Sequence, residues 1–167
     1  MEPALDEVPA IDAAAFKAVL GRFCSGVTVI TALDDGHPVG FACQSFAALS
    51  LDPPLVSFFP ARTSTTWPRI RRVGRCCVNI LADHQDELCR RLGGRGPDKF
   101  AGVDWTPSAN GAPRLGGALA SIDCELHDEV DGGDHTVVIA RVTGLTEHSD
   151  ASPLVFYRAA FERLAQR

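Results

Sequence analysis

Residues 40–64 read GFACQSFAALSLDPPLVSFFPARTS, and this stretch decides how the rest of the chain is interpreted. Its small side chains allow a planar ligand to approach the backbone closely. Gln44 and Ser45 can hydrogen-bond the edge of a heteroaromatic ring. The RTSTT segment at residues 62–66 adds a guanidinium and hydroxyls, which suit a phosphate. The stretch therefore predicts a ring site and a phosphate site about one strand apart.

The composition is that of a single globular domain. Hydrophobic residues make up 46% of the 167 residues, which is enough for a full core. We expect residues 12–167 to form one domain after a flexible segment at residues 1–11. The net charge of −5 offers no general basic field for nucleic acid. The sequence shows no signal peptide and no membrane-spanning apolar run, so we expect a cytoplasmic protein without a nucleic-acid or membrane partner.

The cysteines do not form a metal or disulfide pattern. None of the six makes a C-x-x-C pair, and the five histidines are scattered without metal-ligand spacing. Reduced, buried thiols in a cytosolic protein are the simplest interpretation. We therefore predict no metal site.

The hydrophobic periodicity predicts short helices and about seven strands. The helices are predicted at residues 13–23 with Asp12 as N-cap, from Ser64 or Thr65 to about Arg72, and at residues 84–92 with Asp83 as N-cap. The strands are predicted at residues 27–33, 38–45, 55–59, 76–81, 118–130, 136–146 and 154–157. Without βαβ alternation, this order favours a closed antiparallel barrel. The absence of G-x-G-x-x-G after a strand argues against a Rossmann domain.

The order of several motifs resembles the flavin reductases that serve two-component flavin-dependent monooxygenases. The motifs are GFACQSFAALSLDPPLV at residues 40–56, S-x-T-W at 64–67, CVNIL at 77–81, DKF at 98–100, GGDH at 132–135 and PLVFYR at 153–158. The resemblance covers residues 16–164. It implies a mainly β fold, a closed antiparallel split β-barrel with a few short flanking helices, that binds FAD or FMN. As family tendencies, FAD is favoured over FMN and NADH over NADPH.

The resemblance also implies which residues form the site. Those expected to bind the flavin are Pro38, Val39, Gly40, Phe41, Ala42, Gln44, Ser45, Phe59, Pro60, Ala61, Ser64, Thr65, Thr66, Arg91, Leu92, Lys99 and Phe100. His135 is the expected catalytic residue, because in the family the histidine of this motif contacts the nicotinamide at the open face of the flavin. Tyr157 and Arg158 are expected beside the nicotinamide dinucleotide.

The function implied by the resemblance is an NAD(P)H:flavin oxidoreductase. Hydride passes from the nicotinamide to the flavin, and the reduced flavin leaves for a partner oxygenase that acts on an aromatic or phenolic substrate. Family members are usually homodimers with the flavin near the subunit interface. Two alternatives stay open: a flavin-binding protein of the same fold that stores flavin or senses redox state without rapid turnover, and an independent flavin or ferric reductase without a dedicated oxygenase.

Overall fold

The computed structural model describes residues 10–96 and 98–165, so most of the predicted flexible segment at residues 1–11 lies outside the described residues. The described part contains three helices and twelve strands. The helices are α1 (Ala13–Leu20), α2 (Trp67–Val73) and α3 (Asp86–Gly93). The strands are β1 (Ser25–Gly26), β2 (Thr28–Asp34), β3 (His37–Cys43), β4 (Ala47–Leu51), β5 (Pro54–Phe58), β6 (Arg75–Ile80), β7 (Trp105–Pro107), β8 (Pro113–Leu115), β9 (Ala120–Gly132), β10 (His135–Glu147), β11 (Val155–Tyr157) and β12 (Ala160–Glu162).

Seven strands form one antiparallel sheet in the order β3-β2-β6-β9-β10-β5-β4. The long β9–β10 hairpin has two register shifts, and such irregularities bend a strand and increase its twist. Within the described residues the end strands β3 and β4 are not paired with each other. The mainly β architecture agrees with the prediction, but hydrogen bonds do not close the sheet, and the predicted closed barrel is not confirmed.

The core consists of two clusters on opposite sides of strand β2. Ile30 and Ala32 pack in the larger cluster with Phe58 and Trp67, whose rings meet edge to face at 5.6 Å. Val29 packs in the smaller cluster, which also contains residues of α3 and β8. Because both faces of β2 are covered, all of its residues except the half-buried Leu33 are buried, and burial does not alternate along the strand.

A buried asparagine attaches the segment after α3 to the sheet. Asn79 on β6 donates from Nδ2 to the Val29 carbonyl at 3.2 Å and accepts at Oδ1 from the Leu115 N–H at 2.8 Å. Its side chain is fully buried. The segment after α3 therefore contains a small ladder, β7 with β8, that is held against the core.

Helix α1 differs from the prediction in length and in burial. Asp12 caps it as predicted, accepting from the Ala15 N–H at 2.9 Å. The helix ends at Leu20, before Gly21, rather than at residue 23. None of its residues is buried, and Phe23 beyond its end is 82% exposed. The apolar side chains of this helix, Phe16, Val19 and Leu20, are therefore exposed and do not face the core of this chain.

Two other predictions, the start of helix α3 and the set of strands, were wrong or incomplete. Helix α3 begins at Asp86, and its N-cap residue is Gln85 rather than the predicted Asp83. The Gln85 Oε1 accepts from the Ala82 N–H at 2.9 Å, and this bond fixes the turn between β6 and α3. Strands β1, β4, β7, β8 and β12 were not predicted.

Among the described residues, no helix is long and apolar enough to cross a membrane, and no cluster of metal-ligating side chains occurs.

Candidate active site

A cleft of about 460 Å³ opens where β3 and β5 end, a volume within the usual range for small-molecule sites. Its lining comes from the end of β3, the segment between β5 and α2, the end of α3 with the residues after it, and the start of β10. The lining residues are Phe41, Ala42, Cys43, Gln44, Ser45, Phe59, Pro60, Ala61, Thr63, Ser64, Thr65, Thr66, Gly93, Gly94, Arg95, Lys99 and His135. We call this the first cleft.

Two walls of the first cleft are joined by Ser45. Its hydroxyl accepts from the Phe59 N–H at 3.1 Å and lies 3.3 Å from both the Phe59 carbonyl oxygen and the Cys43 sulfur. Ser45 was predicted to hydrogen-bond a ring edge, but these contacts occupy its hydroxyl in holding β3 and β5 together. Gln44 is exposed beside it, with its amide group available to a ligand.

The β9–β10 hairpin brings His135 to the cleft. Ala61 and His135 form an antiparallel bridge, the Thr136 N–H donates to the Pro60 carbonyl at 3.0 Å, and the Arg62 N–H donates to the Asp134 carbonyl at 2.9 Å. These backbone bonds fix the hairpin end against the segment after β5. His135 therefore lies beside Ala61, although the two residues are far apart in the sequence.

Asp134 orients the His135 ring. The His135 Nδ1 lies 2.7 Å from the Asp134 Oδ1, and this bond lowers the pKa of the Asp134 carboxyl. An ionised carboxylate only accepts, so Nδ1 carries the proton and donates. In the neutral imidazole, Nε2 is then left as a hydrogen-bond acceptor. The side chain is 45% exposed, so a second ligand can reach it from solvent.

Ser64, Thr65 and Thr66, which were predicted to bind a phosphate, line the first cleft, but some of the hydrogen-bonding groups of this segment already have partners within the protein. The Ser64 Oγ accepts from the N–H groups of Thr66 at 3.3 Å and Trp67 at 3.1 Å. The N-cap residue of α2 is Thr66, which makes no side-chain capping bond, rather than the predicted Ser64 or Thr65. Ser64 stabilises the helix start from outside it, and these two N–H groups are not free for an anion. The hydroxyls of Thr63, Thr65 and Thr66 also line the cleft.

Lys99 supplies positive charge at the same end of the cleft. Its Nζ donates to the Leu92 carbonyl at 2.9 Å and the Gly40 carbonyl at 3.3 Å, and burial lowers the pKa of the ammonium group. Arg95 adds a second cation, and no Asp or Glu is among the described lining residues. In a chain with net charge −5, a cleft with cations and no carboxylate favours an anionic ligand.

A second cleft of about 280 Å³ adjoins the first. The two share Thr65, Thr66 and Lys99. The other lining residues of the second cleft are Pro38, Val39, Gly40, Arg69, Gly96 and Phe100. Pro38, Val39 and Gly40, which were predicted at the ring site, thus line this neighbouring cleft instead of the first one.

Gly40 has a structural reason to be glycine. A Cβ there would lie 2.8 Å from the Ile30 carbonyl oxygen and 3.1 Å from the Phe100 ring. Such distances require the backbone or the ring to move. Close packing of β3 against β2 and Phe100 accounts for this residue without a ligand.

Four of the predicted site residues line neither cleft. Arg91 donates to the Ala101 carbonyl, and Leu92 is fully buried in the smaller core cluster. Tyr157 and Arg158 belong to the three-stranded sheet β1-β11-β12 and its turn, where the Arg158 N–H donates to the Gly21 carbonyl at 3.0 Å.

Sequence reasoning missed four residues that line the first cleft. They are Cys43, Gly93, Gly94 and Arg95. The signal for the last three was the Gly93-Gly94 stop after α3, since a helix end leaves small residues open to a ligand. Burial raises the pKa of the Cys43 thiol, so that side chain stays a neutral part of the wall.

The first cleft fits a flavin. Its small side chains (Ala42 and Ala61) and its half-buried aromatic Phe41 offer surface to a planar ring. Hydroxyls and Lys99 at one end offer donors to a phosphate. The described lining residues include no carboxylate that would repel an anionic phosphate ester.

Comparison with known proteins assigns the family. A family described as "Flavin reductase like domain" matches residues 20–165. The flavin-dependent monooxygenase, reductase subunit HsaB, of Rhodococcus jostii (strain RHA1) is 58% identical over 152 residues, 91% of this chain and 78% of that protein. The chain belongs to the flavin reductase like family, as the motifs predicted.

Solved structures agree with this assignment. A nitrilotriacetate monooxygenase component B homologue from Mycobacterium thermoresistibile is 54% identical, with a TM-score of 0.90 covering 95% of this chain and 89% of that one. The NADH:FAD oxidoreductase SgcE6 of Streptomyces globisporus C-1027, solved in complex with NAD and FAD fragments, is 31% identical, with a TM-score of 0.87 covering 92% of this chain and 93% of that one. The protein is therefore a flavin reductase in fold and in sequence.

Proposed function

We propose that this flavin reductase takes hydride from NADH, passes it to FAD or FMN held in the first cleft, and releases the reduced flavin to a separate oxygenase. The observation that carries the proposal is the first cleft itself, which joins small side chains, a carboxylate-free cationic end and an oriented histidine. Relatives named as NADH:FAD oxidoreductase and as a monooxygenase reductase subunit support the same chemistry.

The walls formed by β3 and β5 would hold the isoalloxazine. Phe41 and Ala42 face it from one segment and Pro60 and Ala61 from the other, while the Gln44 amide hydrogen-bonds its polar edge. The Ser45 bonds to Phe59 keep the two walls at a fixed spacing. A pre-formed slot of this kind orients the ring without ordering loops during each turnover.

The other end of the first cleft would hold the phosphate of the flavin. Thr65 and Thr66 donate hydroxyl hydrogen bonds, and Lys99 contributes its charge. The hydrogen bonds from Lys99 to two carbonyl oxygens fix the ammonium group without neutralising it. Modest affinity is sufficient, because a reductase must release its product.

His135 would receive the nicotinamide. With Nδ1 donating to Asp134, the neutral ring presents Nε2 as an acceptor, which suits the carboxamide N–H of NADH. A bound flavin supplies the two-electron acceptor, so no side chain has to act as a general base. The contribution of the protein is to bind and orient the two ring systems.

The partner and assembly belong to the same proposal. We expect an oxygenase component that receives the reduced flavin and acts on an aromatic or phenolic substrate, a cytoplasmic location, and a homodimer. The exposed apolar face of α1 supports the homodimer, since a second chain would cover it. In such a dimer Tyr157 and Arg158 are expected to approach the nicotinamide dinucleotide.

The test is anaerobic oxidation of NADH with excess FAD or FMN, followed by the absorbance of both the nicotinamide and the flavin. We expect many flavins reduced per protein chain, and faster turnover with NADH than with NADPH. Tight flavin binding without turnover would instead support the storage or redox-sensing function. Equal rates with and without added flavin would contradict the proposed substrate.

A further inference from the structure

We propose that Arg62 and Asp131 are positioning residues for NADH, because their ion pair holds the end of the β9–β10 hairpin where His135 lies at the first cleft. Neither Arg62 nor Asp131 is among the described residues that line this cleft. The pair acts on NADH through His135, so the inference rests on the proposed function.

The end of the hairpin is rich in glycine. The two strands are joined through Gly132 and Gly133, the second with a φ of 79°, and glycine loses the most conformational freedom when it is ordered. His135 pairs with Gly132 at the last position of the ladder before the turn, where strands open most easily. The position of His135 therefore depends on contacts between the hairpin end and the rest of the chain.

These contacts come from the segment after β5. Its backbone makes hydrogen bonds with Asp134 and Thr136, the residues on either side of His135. Arg62 adds a bond from its side chain, since its Nη2 donates to the Asp131 Oδ1 at 2.5 Å. Arg62 thus holds the turn on both sides, at Asp134 through its backbone N–H and at Asp131 through its guanidinium.

Asp131 connects Arg62 to the turn itself. The oxygen that accepts from Arg62 also accepts from the Gly133 N–H at 3.0 Å. The bonds from Gly133 and from Arg62 lower the pKa of the Asp131 carboxyl, so this group is charged at neutral pH. One carboxylate therefore joins the glycine turn to the segment after β5.

The guanidinium of Arg62 is not placed for a phosphate, although its sequence context suggested one. It lines a separate cleft of about 490 Å³ together with the carboxylates of Asp131 and Glu129. Negative charges at that distance from the guanidinium oppose a second anion. The geometry of Arg62 therefore favours a role in the hairpin.

The ion pair should affect local order more than the stability of the whole fold. The side chains of Arg62 and Asp131 are 53% and 74% exposed, and exposed ion pairs add little to the free energy of unfolding. A hairpin end, however, can open while the core stays folded. Loss of the pair should therefore lower the fraction of molecules in which His135 is correctly placed, and leave the Tm nearly unchanged.

The experiment combines steady-state kinetics at saturating flavin with amide hydrogen exchange followed by NMR. Arg62→Ala should raise the KM for NADH by about threefold to fivefold, because fewer molecules are competent to bind it, and change kcat and the flavin Kd by less than about twofold. The Thr136 N–H, which is bonded to the Pro60 carbonyl, should exchange several-fold faster. Arg62→Lys keeps the charge and should restore part of both effects.

Arg71→Ala is the matched control. The Arg71 Nε donates to the Glu129 Oε2 at 2.6 Å, an ion pair of similar length on the same hairpin. Glu129, however, is three ladder positions away from the pair that contains His135. This variant should leave the KM for NADH and the exchange rate nearly unchanged. If Arg71→Ala raised the KM as much as Arg62→Ala, the effect would be one of surface charge and the proposal would be wrong.

Two double variants test whether Arg62 acts through His135. In a His135→Ala background, Arg62→Ala should raise the KM no further, because the residue that it positions is absent. Asp131→Ala should raise the KM as Arg62→Ala does, and the two together should not exceed the larger single effect. If Arg62 contacted NADH directly, Asp131→Ala would free its guanidinium and lower the KM. That result, or additivity with His135→Ala, would overturn the proposal.

The remaining outcomes separate this inference from the proposed function. If the unaltered protein oxidises NADH and Arg62→Ala keeps its KM, only the inference is wrong. A raised KM with an unchanged exchange rate, or a flavin Kd raised as much as the KM, would also contradict the positioning role. If the unaltered protein does not oxidise NADH with either flavin, the proposed function is wrong, and the role of Arg62 toward NADH is wrong with it.

Discussion

At the scale of single residues, His135 is the side chain on which the enzymatic proposal depends most. We expect His135→Ala to raise the KM for NADH by about tenfold, because one hydrogen bond to the nicotinamide is lost, while the flavin Kd changes by less than about twofold. Steady-state kinetics and a fluorescence titration measure the two quantities. His84→Ala, an exposed histidine that lines neither the first nor the second cleft, is the control. An unchanged KM would remove His135 from the nicotinamide site.

Asn79 is a buried residue whose loss should lower the stability of the fold, because its side chain bonds both β2 and β8. Asn79→Ala leaves the buried Leu115 N–H without its acceptor and removes donors to β2. We expect the free energy of unfolding to fall by about 1–3 kcal/mol, measured by urea denaturation. Thr106→Ala, which removes an exposed hydrogen bond from Arg114, should change it by less than about 0.5 kcal/mol. Equal effects of the two variants would contradict the structural role of Asn79.

At the scale of secondary structure, Asp34 joins the β2–β3 hairpin to α2. Hydrogen bonds from Arg69 and Arg72 lower the pKa of its carboxyl below the ordinary 3.8. A carboxyl with a lowered folded-state pKa stabilises the protein above its unfolded pKa and loses that contribution as pH falls through the folded value. Asp34→Asn should therefore lower the Tm at pH 7, and the difference should shrink below about pH 4.

The measurement for Asp34 is a series of thermal unfolding scans from neutral to acid pH. Asp150→Asn is the control, since Asp150 has no ion pair among the described residues. A Tm difference that persists unchanged at acid pH would show that Asp34 acts through packing and not through charge.

The sequence predicted local elements well where pattern and turn chemistry agreed. The β9–β10 hairpin was predicted because alternating residues flank Gly132-Gly133-Asp134, and α2 ends at Gly74, whose φ of 76° requires little strain in glycine. Strand β4 was missed because AALSL has no alternation of polar and apolar residues. It is an edge strand, and its pairing with β5 rather than its composition makes it a strand.

The candidate site could be predicted only where it is local in sequence. Phe41 and Ala42 lie at the end of β3, Gln44 follows directly after it, and all three line the first cleft as expected. Leu92 was expected at the flavin, but helix α3 turns that side chain into the core. Arg69, which lines the second cleft, donates to Asp34, 35 residues earlier, and no local pattern predicts such a contact.

At the scale of the whole molecule, the described chain leaves several large apolar side chains exposed at α1 and just beyond it. Val19 and Leu20 are 68% and 54% exposed, and an eight-residue helix with no buried side chain is marginal by itself. The homodimer proposed above would supply the missing contacts. We expect sedimentation analysis to give the mass of two chains, and Val19→Glu with Leu20→Glu to give one chain. A dimer that survives both substitutions would exclude α1 from the interface.

Five of the six thiols of this protein are buried, and only Cys24 is exposed. Burial raises the pKa of Cys77 to about 12 and that of Cys89 to about 11, so almost none of either is thiolate at neutral pH. Reduced flavin that meets oxygen before it meets an oxygenase yields hydrogen peroxide, which oxidises thiolates far faster than thiols. The packing of the two cores therefore also protects the enzyme chemically, since it buries five of the six thiols away from the oxidant that its own product generates.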